Sequence, residues 1–315
     1  MQVSEAREEY VRWLHVTRDL SPHTIRAYSS DIGAFERHLG VRAVVGHIDR
    51  ECLVTFMEEQ RAGGLCSTSI RRRAAGLRGF CKWLGVRQLL DTDPWIGTTV
   101  ALGRARKLPR LLPTHELDRL FLFLRSAAGG DAAVGKPDGL LDRPHESTTL
   151  LAVALMVATG VRVNEVVSLT CQDIDLPSHS LRIVGKGRRE RHVFLTNAWI
   201  QNLVRAYLQT RVTLNVQHHH LLFNRRYDPL TPAAMRSRLA KAAGHAGLRA
   251  KVTPHMLRHT AATQLIEAGV DIRYIQRLLG HASLTTTEIY THVSDGALRR
   301  VVSEADVLGR FAQAR

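Results

Sequence analysis

Late in the chain Thr253-Pro-His-Met-Leu-Arg-His-Thr opens a helix and sets His255 and Arg258 three residues apart, on one face of its first turns. A lone histidine or arginine on a helix is usually structural or solvated. Together, at a helix N-terminus whose free N–H groups already favour an anion, the two make a phosphate site. His281 follows in Leu279-Gly-His281, and Tyr290 ends Thr285-Thr-Thr-Glu-Ile-Tyr290. Earlier, Arg162 follows Gly160 at a helix start and Lys186 lies in Gly185-Lys-Gly187. Each also has an ordinary reading: Arg162 as the partner of Glu165, Lys186 as a hairpin-turn cation, Tyr290 as a half-buried aromatic. Arg188, Arg189 and Arg191 read as backbone-phosphate contacts or solvated charge. His259 falls on a different face of its helix from Arg258 and reads as a packing residue.

Helices must position most of these groups. Ser21-Pro22 is an N-cap followed by proline at the first helical position, and Ile25, Tyr28, Ile32, Phe35 and Leu39 recur at helical spacing until Gly40. Asp49 starts a second helix carrying Leu53, Phe56 and Met57. Ser67 starts a third, whose apolar face is Ile70, Ala74, Leu77, Phe80, Cys81 and Leu84. The rest of that helix carries Arg71, Arg72, Arg73, Arg78 and Lys82. Five cations without an acidic partner repel one another unless something neutralises them, so the face reads as a DNA-backbone contact, with a solvated helix face as the alternative. Residues 96–113, with Gly103-Arg-Ala-Arg-Lys-Leu-Pro, keep no period and read as a basic linker. Beyond it come a helix from about His115 to Ala127, an aperiodic loop from Gly129 to about Glu146, and an apolar helix from Thr148 to Thr159. A short helix from about Asn164 follows. Ile174, Leu181, Ile183, Val184, Val193 and Leu195 then mark strands around the Gly185 turn. Helices resume to the C-terminus, the last beginning at Ser294 with Leu298, Val301, Val302, Val307 and Leu308 on its apolar side.

Composition narrows the partner. Among 315 residues there are 44 Lys+Arg against 29 Asp+Glu, a net charge of +15, with 44% hydrophobic and 23% charged residues. That describes a folded chain of about two domains. Only six residues are lysine, so arginine, whose fork suits phosphate, carries the excess. Both halves share it: 18 cations against 12 anions through Leu112, and 26 against 17 after it. Nucleic acid is the leading partner and an acidic membrane surface the second. The apolar run from Leu150 to Ala158 is too short to span a bilayer, and the acidic start, Glu5, Glu8 and Glu9, is unlike a signal peptide. A cytoplasmic, nucleoid-associated location is expected. Cys52, Cys66, Cys81 and Cys171 form no C-x-x-C pair and read as buried reduced thiols. His218-His219-His220 reads as a polar turn before Leu221-Leu222-Phe223. There is no G-x-x-x-x-G-K-[ST] loop and no clustered carboxylates, so neither ATP nor metal is expected.

Thr159-Gly-Val-Arg-Val-Asn-Glu165, Gly185-Lys-Gly187, His255-Met-Leu-Arg-His259, Leu279-Gly-His281 and Ile289-Tyr290 stand in the order and approximate spacing of the tyrosine recombinases, the phage-integrase family. Ser21-Pro-His-Thr-Ile-Arg-Ala-Tyr28 resembles the core-binding domain of the Xer-like members. The resemblance spans nearly the whole chain, and its departures, Val161, Val163 and Asn164, remove no charge. It implies a mainly α (α+β) fold: a helical SAM-like core-binding domain over 1–95, a linker over 96–113, and a DNA breaking-rejoining catalytic domain with a small antiparallel sheet over 114–315, the two domains clamping duplex DNA. It further implies that Tyr290 attacks the scissile phosphate and forms a 3′-phosphotyrosine. Arg162 and Arg258 would clamp the non-bridging oxygens, Lys186 would protonate the leaving 5′ oxygen, His255 would assist as acid/base, and His281 would hydrogen-bond the phosphate. Strand exchange through a Holliday junction by a homo-tetramer on two DNA sites is expected, alone or with a partner recombinase, and with the tail helix docked on a neighbour or, as the alternative, folded back on its own domain. A catalytically inactive DNA-binding regulator of the same fold is the alternative, and type IB topoisomerase activity a nearer one.

Overall fold

The computed structural model describes residues 1–18, 20, 22–40, 42–97, 111–129, 141–185, 189–280, 295–307 and 309. Lys186, Arg188, His281, Tyr290, Ser21, Ser294, Leu308, most of the 96–113 linker and most of the 129–146 loop therefore lie outside the described residues. The chain divides into two compact units, Met1–Lys107 and Leu108–Arg315.

The first unit is helical: α1 (Val3–Thr17), α2 (Pro22–Leu39), α3 (Arg50–Ala62) and α4 (Ser67–Val86). α1 is not among the helices read from the sequence, although Val3, Ala6, Tyr10 and Leu14 are its buried stripe at helical spacing. Its start is a capping box in which the Gln2 N–H donates to Glu5 at 2.9 Å. Asp49 caps α3 by accepting from the Cys52 N–H at 2.8 Å. The core is aromatic, with Tyr10 and Phe80 centroids 5.4 Å apart and Phe35 and Phe56 5.1 Å apart.

The second unit is built around α6 (Pro144–Thr159), against which α5 (Thr114–Ala127), α8 (Ala198–Thr213), α9 (Pro232–His245) and α10 (Pro254–Glu267) pack. Leu150 through Val157 are all buried, so α6 is covered on every side. It begins four residues before the expected Thr148 because Pro144 occupies its first turn, and the polar Ser147 and Thr148 are inside it. Thr148 hydrogen-bonds the hydroxyl of buried Tyr207, which is how a polar residue enters the core. A three-stranded antiparallel sheet, β1 (Ile174–Asp175), β2 (Ser180–Val184) and β3 (Glu190–Phe194), runs in the order β1-β2-β3, with Leu181 opposite Val193 and Ile183 opposite Arg191. α7 (Val163–Ser168) precedes the sheet, and α11 (Ile272–Leu279) follows α10.

The structure bears on two further expectations. The last helix, α12 (Asp295–Ala305), lies against its own unit: Val302 is buried beside Ala158, Phe194 and Ile200, and Asn197 donates to Asp306 at 2.7 Å. An apolar helix face must be covered, and in the single chain it packs on its own unit, the alternative to docking on a neighbouring copy. The cysteines are free, but only Cys81 is buried; Cys66 is exposed at the start of α4, and Cys52 and Cys171 are half-buried. Among the described residues no helix is long and apolar enough to cross a membrane.

Candidate active site

The site grows from two left-handed glycines. α6 ends at Gly160, φ +64°, whose N–H donates to Met156 O. α11 ends at Gly280, also φ +64°. A Cβ on Gly160 would run into the Leu279 side chain, so glycine serves both the turn and the close approach of the two helix ends.

A helix leaves its last carbonyls without partners and its C-terminus partly negative. At the end of α11 three successive carbonyls each accept from a different arginine. Arg191 Nε donates to Leu278 O at 2.8 Å, Arg258 Nη2 to Leu279 O at 2.8 Å, and Arg162 Nη2 to Gly280 O at 3.3 Å. Arg258 also donates through Nη1 to Gly160 O at 2.7 Å, so one guanidinium ties the ends of α6 and α11 together. These two bonds leave the remaining N–H donors of its five for a ligand.

Glu165 sits under the cluster, 6% exposed. Its Oε1 accepts from Arg162 Nη1 at 2.9 Å and Arg191 Nη1 at 3.2 Å, while Oε2 accepts from Arg191 Nη2 at 2.8 Å and the Arg162 N–H at 2.8 Å. Burial works to raise its carboxyl, but the hydrogen bonds from Arg191 and Arg162 overcome this and hold it below the usual range. Three guanidinium groups and one carboxylate leave an excess of positive charge. Burial first, and then repulsion from Arg162, lowers Arg258 to about 10, which still leaves it cationic at neutral pH. Arg162 is 43% exposed and so faces solvent; Arg258 is buried.

On α10, Thr253 caps the helix by accepting from the Met256 N–H at 3.3 Å, and Pro254 opens it. His255 is exposed and its Nε2 lies 2.8 Å from His259 Nε2. His259 is therefore the partner of His255, one turn on, and burial followed by His255 and Arg258 lowers its pKa.

Of the residues expected to act, the structure brings Arg162 and Arg258 together and places His255 on the helix that carries Arg258. It corrects Arg191, which is neither solvated nor a backbone contact: its side chain is 12% exposed and bound to Glu165. The period of β3 already indicated this, since Arg191 shares a strand face with the buried Val193. Arg189 is exposed beside the hairpin turn, its carbonyl accepting from the Gly185 N–H at 2.8 Å. On α4, Arg71, Arg72, Arg78 and Lys82 are exposed. The premise that these cations lack an acidic partner fails for two of them. Asp31 of α2, 1% exposed, pairs with Arg72 and with Arg73, the latter at 3.3 Å, and Arg73 also bonds Gln60. Arg78 lies over the Trp95 ring at 4.7 Å. The His218–His220 turn is pinned by Arg211 to the apolar segment Leu221–Phe223, which is fully buried. Among the described residues no group of side chains is arranged to hold a metal ion.

The phage integrase family pattern matches residues 136–296, and the phage integrase N-terminal SAM-like domain matches residues 8–88. A tyrosine recombinase XerC of Listeria innocua is 31% identical over 311 residues, covering 95% of this chain and 96% of the relative. The chain belongs to the phage integrase family, the tyrosine recombinases. Its activity is that of the family, site-specific breaking and rejoining of DNA. A tyrosine recombinase XerD of Halalkalibacterium halodurans is equally similar, at 31% over 305 residues and 95% of this chain. Among solved structures, the XerH recombinase in a post-cleavage complex with a palindromic difH substrate is similar with a TM-score of 0.67 and 25% identity, over 89% of this chain and 79% of that one. The lambda integrase tetramer bound to a Holliday junction shares the fold, with a TM-score of 0.67 at 19% identity over 91% of this chain and 76% of that one.

Proposed function

We propose that this recombinase cleaves DNA with Tyr290 as nucleophile and Arg162, Lys186, His255, Arg258 and His281 as its assisting groups. Tyr290 Oη attacks the scissile phosphorus and loses its proton, with His255 as acid/base partner. The bond from phosphorus to the 5′ oxygen breaks, and Lys186 Nζ gives that oxygen a proton. A 3′-phosphotyrosine and a free 5′-hydroxyl result. Attack by a 5′-hydroxyl of the exchanging strand reverses both steps and releases the tyrosine. Arg162 and Arg258 neutralise the non-bridging oxygens as charge grows on them.

The observation that carries this reading is the convergence of Arg162 and Arg258 on adjacent carbonyls of one turn, with His281 the next residue in the chain. Arg71, Arg72, Arg78 and Lys82 on α4, with Arg188 and Arg189 beside the catalytic turn, grip the DNA backbone; Arg73 is committed to Asp31 and Gln60 and contributes indirectly. Strand exchange proceeds through a Holliday junction held by a homo-tetramer on two recombination sites, and residues 96–113 link the DNA-binding domain 1–95 to the catalytic domain 114–315.

A duplex nicked beside the cleavage site traps the covalent intermediate. Wild-type protein should accumulate the adduct and Tyr290→Phe should form none; an undiminished adduct in the variant removes Tyr290 from this role. A plasmid with two sites then separates recombination from relaxation.

A further inference from the structure

The second unit holds a basic cleft of about 800 Å³ between the end of α5, the start of α6 and the flank of α9. It opens at the N-terminus of α6, whereas the arginine cluster lies at the C-terminus of that helix, 16 residues and so about 24 Å further along. We propose that this cleft is a second phosphate-binding site, distinct from the catalytic cluster.

Charge is the first reason. Arg143, Arg225, Arg238 and Lys241 line the cleft together with His145 and His245. Among the described residues lining it, Glu146 is the one carboxylate, and it pairs with Arg225 at 3.5 Å, at the edge of a salt bridge. Three cations in excess share a concave surface, where low-dielectric walls focus their field. Arg238 is drawn inward: it donates to His145 O at 3.1 Å, and burial, with Arg225 nearby, lowers its pKa. A cation held in such company gains from an anion that replaces the water it has lost.

Backbone geometry is the second reason. α6 enters the cleft with Pro144 at its start, and no side chain caps it. The N–H groups of its first turn have no intrahelical acceptor, and the positive end of the helix dipole points to the same place as the guanidinium groups. Guanidinium forks and free N–H groups around one hollow are the donor set that phosphate oxygens use. The volume is that of an ordinary ligand cleft.

Phosphate reaches such a site from two sources, a strand of the DNA substrate away from the scissile bond or a free phosphorylated small molecule. Two titrations on the full chain distinguish them. In the first, inorganic pyrophosphate is followed by calorimetry at low salt. In the second, binding of a long duplex is measured across a salt series. Both compare wild type with Arg143→Gln/Arg225→Gln/Lys241→Gln, whose side chains are exposed and whose loss leaves Arg238 in place. A control removes three exposed cations elsewhere, Arg205, Arg236 and Arg249. Pyrophosphate binding that falls at least tenfold in the cleft variant but not in the control supports the site and a free anion as its source. A salt slope shallower by about 2 to 3 in the cleft variant, well beyond the change in the control, supports the site and DNA as its source. If neither titration separates the cleft variant from the control, the proposal is overturned. Neither readout depends on Tyr290, so the outcome is independent of the catalytic assignment.

Discussion

At the scale of single residues, the arginines of the site differ in what they can lose. Arg258 spans two carbonyls on different helices, Gly160 O and Leu279 O, with a planar fork. A lysine keeps the charge but presents a point donor that cannot hold both. Arg258→Lys should therefore lower the rate of adduct formation about 100-fold or more while duplex affinity changes little, as single-turnover cleavage and a binding isotherm would record. Glu165 acts from below. Its removal leaves Arg162 and Arg191 without their shared counter-charge in a largely buried setting, so Glu165→Gln should cost about 3 kcal/mol of stability in denaturant unfolding. The same residue gives a pH signature. Its folded carboxyl lies below the ordinary value near 4.5, so its stabilising contribution is full above that value and is lost as pH falls through the lower folded one. The acid side of the wild-type stability curve should be steeper than that of Glu165→Gln. An equal slope in the two proteins would remove Glu165 from this part.

At the scale of elements, helix ends do the positioning. The C-termini of α6 and α11 meet with the Leu279 side chain against Gly160 and the Arg258 fork bonded to a carbonyl of each. Gly160→Ala places a β-carbon in the left-handed region and against Leu279, and should cost about 2 kcal/mol in thermal unfolding. Because it also shifts the carbonyl that holds Arg258, cleavage should fall by more than the stability loss explains at a temperature where the variant is folded. The apolar periods, proline starts and glycine stops of α2, α3, α4, α5 and the end of α6 were legible along the chain, since each is a local property. The start of α6 was obscured by Ser147 and Thr148, polar residues that enter the core because Ser147 Oγ donates to Arg143 O, and Thr148 Oγ1 donates to Pro144 O and shares a hydrogen bond with Tyr207 Oη. Arg191 was misread for the related reason that its charge outweighed its strand period. Its partner, Glu165, lies 26 positions away.

At the scale of the whole molecule, the charge of +15 divides into unequal shares. A few cations are turned inward on carbonyls and carboxylates: Arg191 and Arg258 in the second unit and Arg73 on Asp31 in the first, while Arg162 and Arg72 are paired but still exposed. Other cations, Arg71 and Lys82 of α4 among them, are exposed on the surface. Removing Arg71 and Lys82 together should weaken duplex binding and make its salt slope shallower by about 2, with adduct formation restored at saturating DNA. Arg73→Gln should behave differently, lowering the stability of the first unit rather than the salt slope, because it breaks a pair with a buried carboxylate.

The sequence by itself determined the family, the order of the motifs, the basic character of both halves and most helix starts and stops, because each is written in residue type and short spacing. Tertiary structure alone decided which charges are spent inside the protein. Arg162 meets Gly280 O across 118 positions, Arg258 meets Gly160 O across 98, and Arg72 meets Asp31 across 41. An arginine side chain reaches several ångströms from its own backbone, so its partner depends on which distant segments the core brings alongside. Periodicity along one element cannot report that.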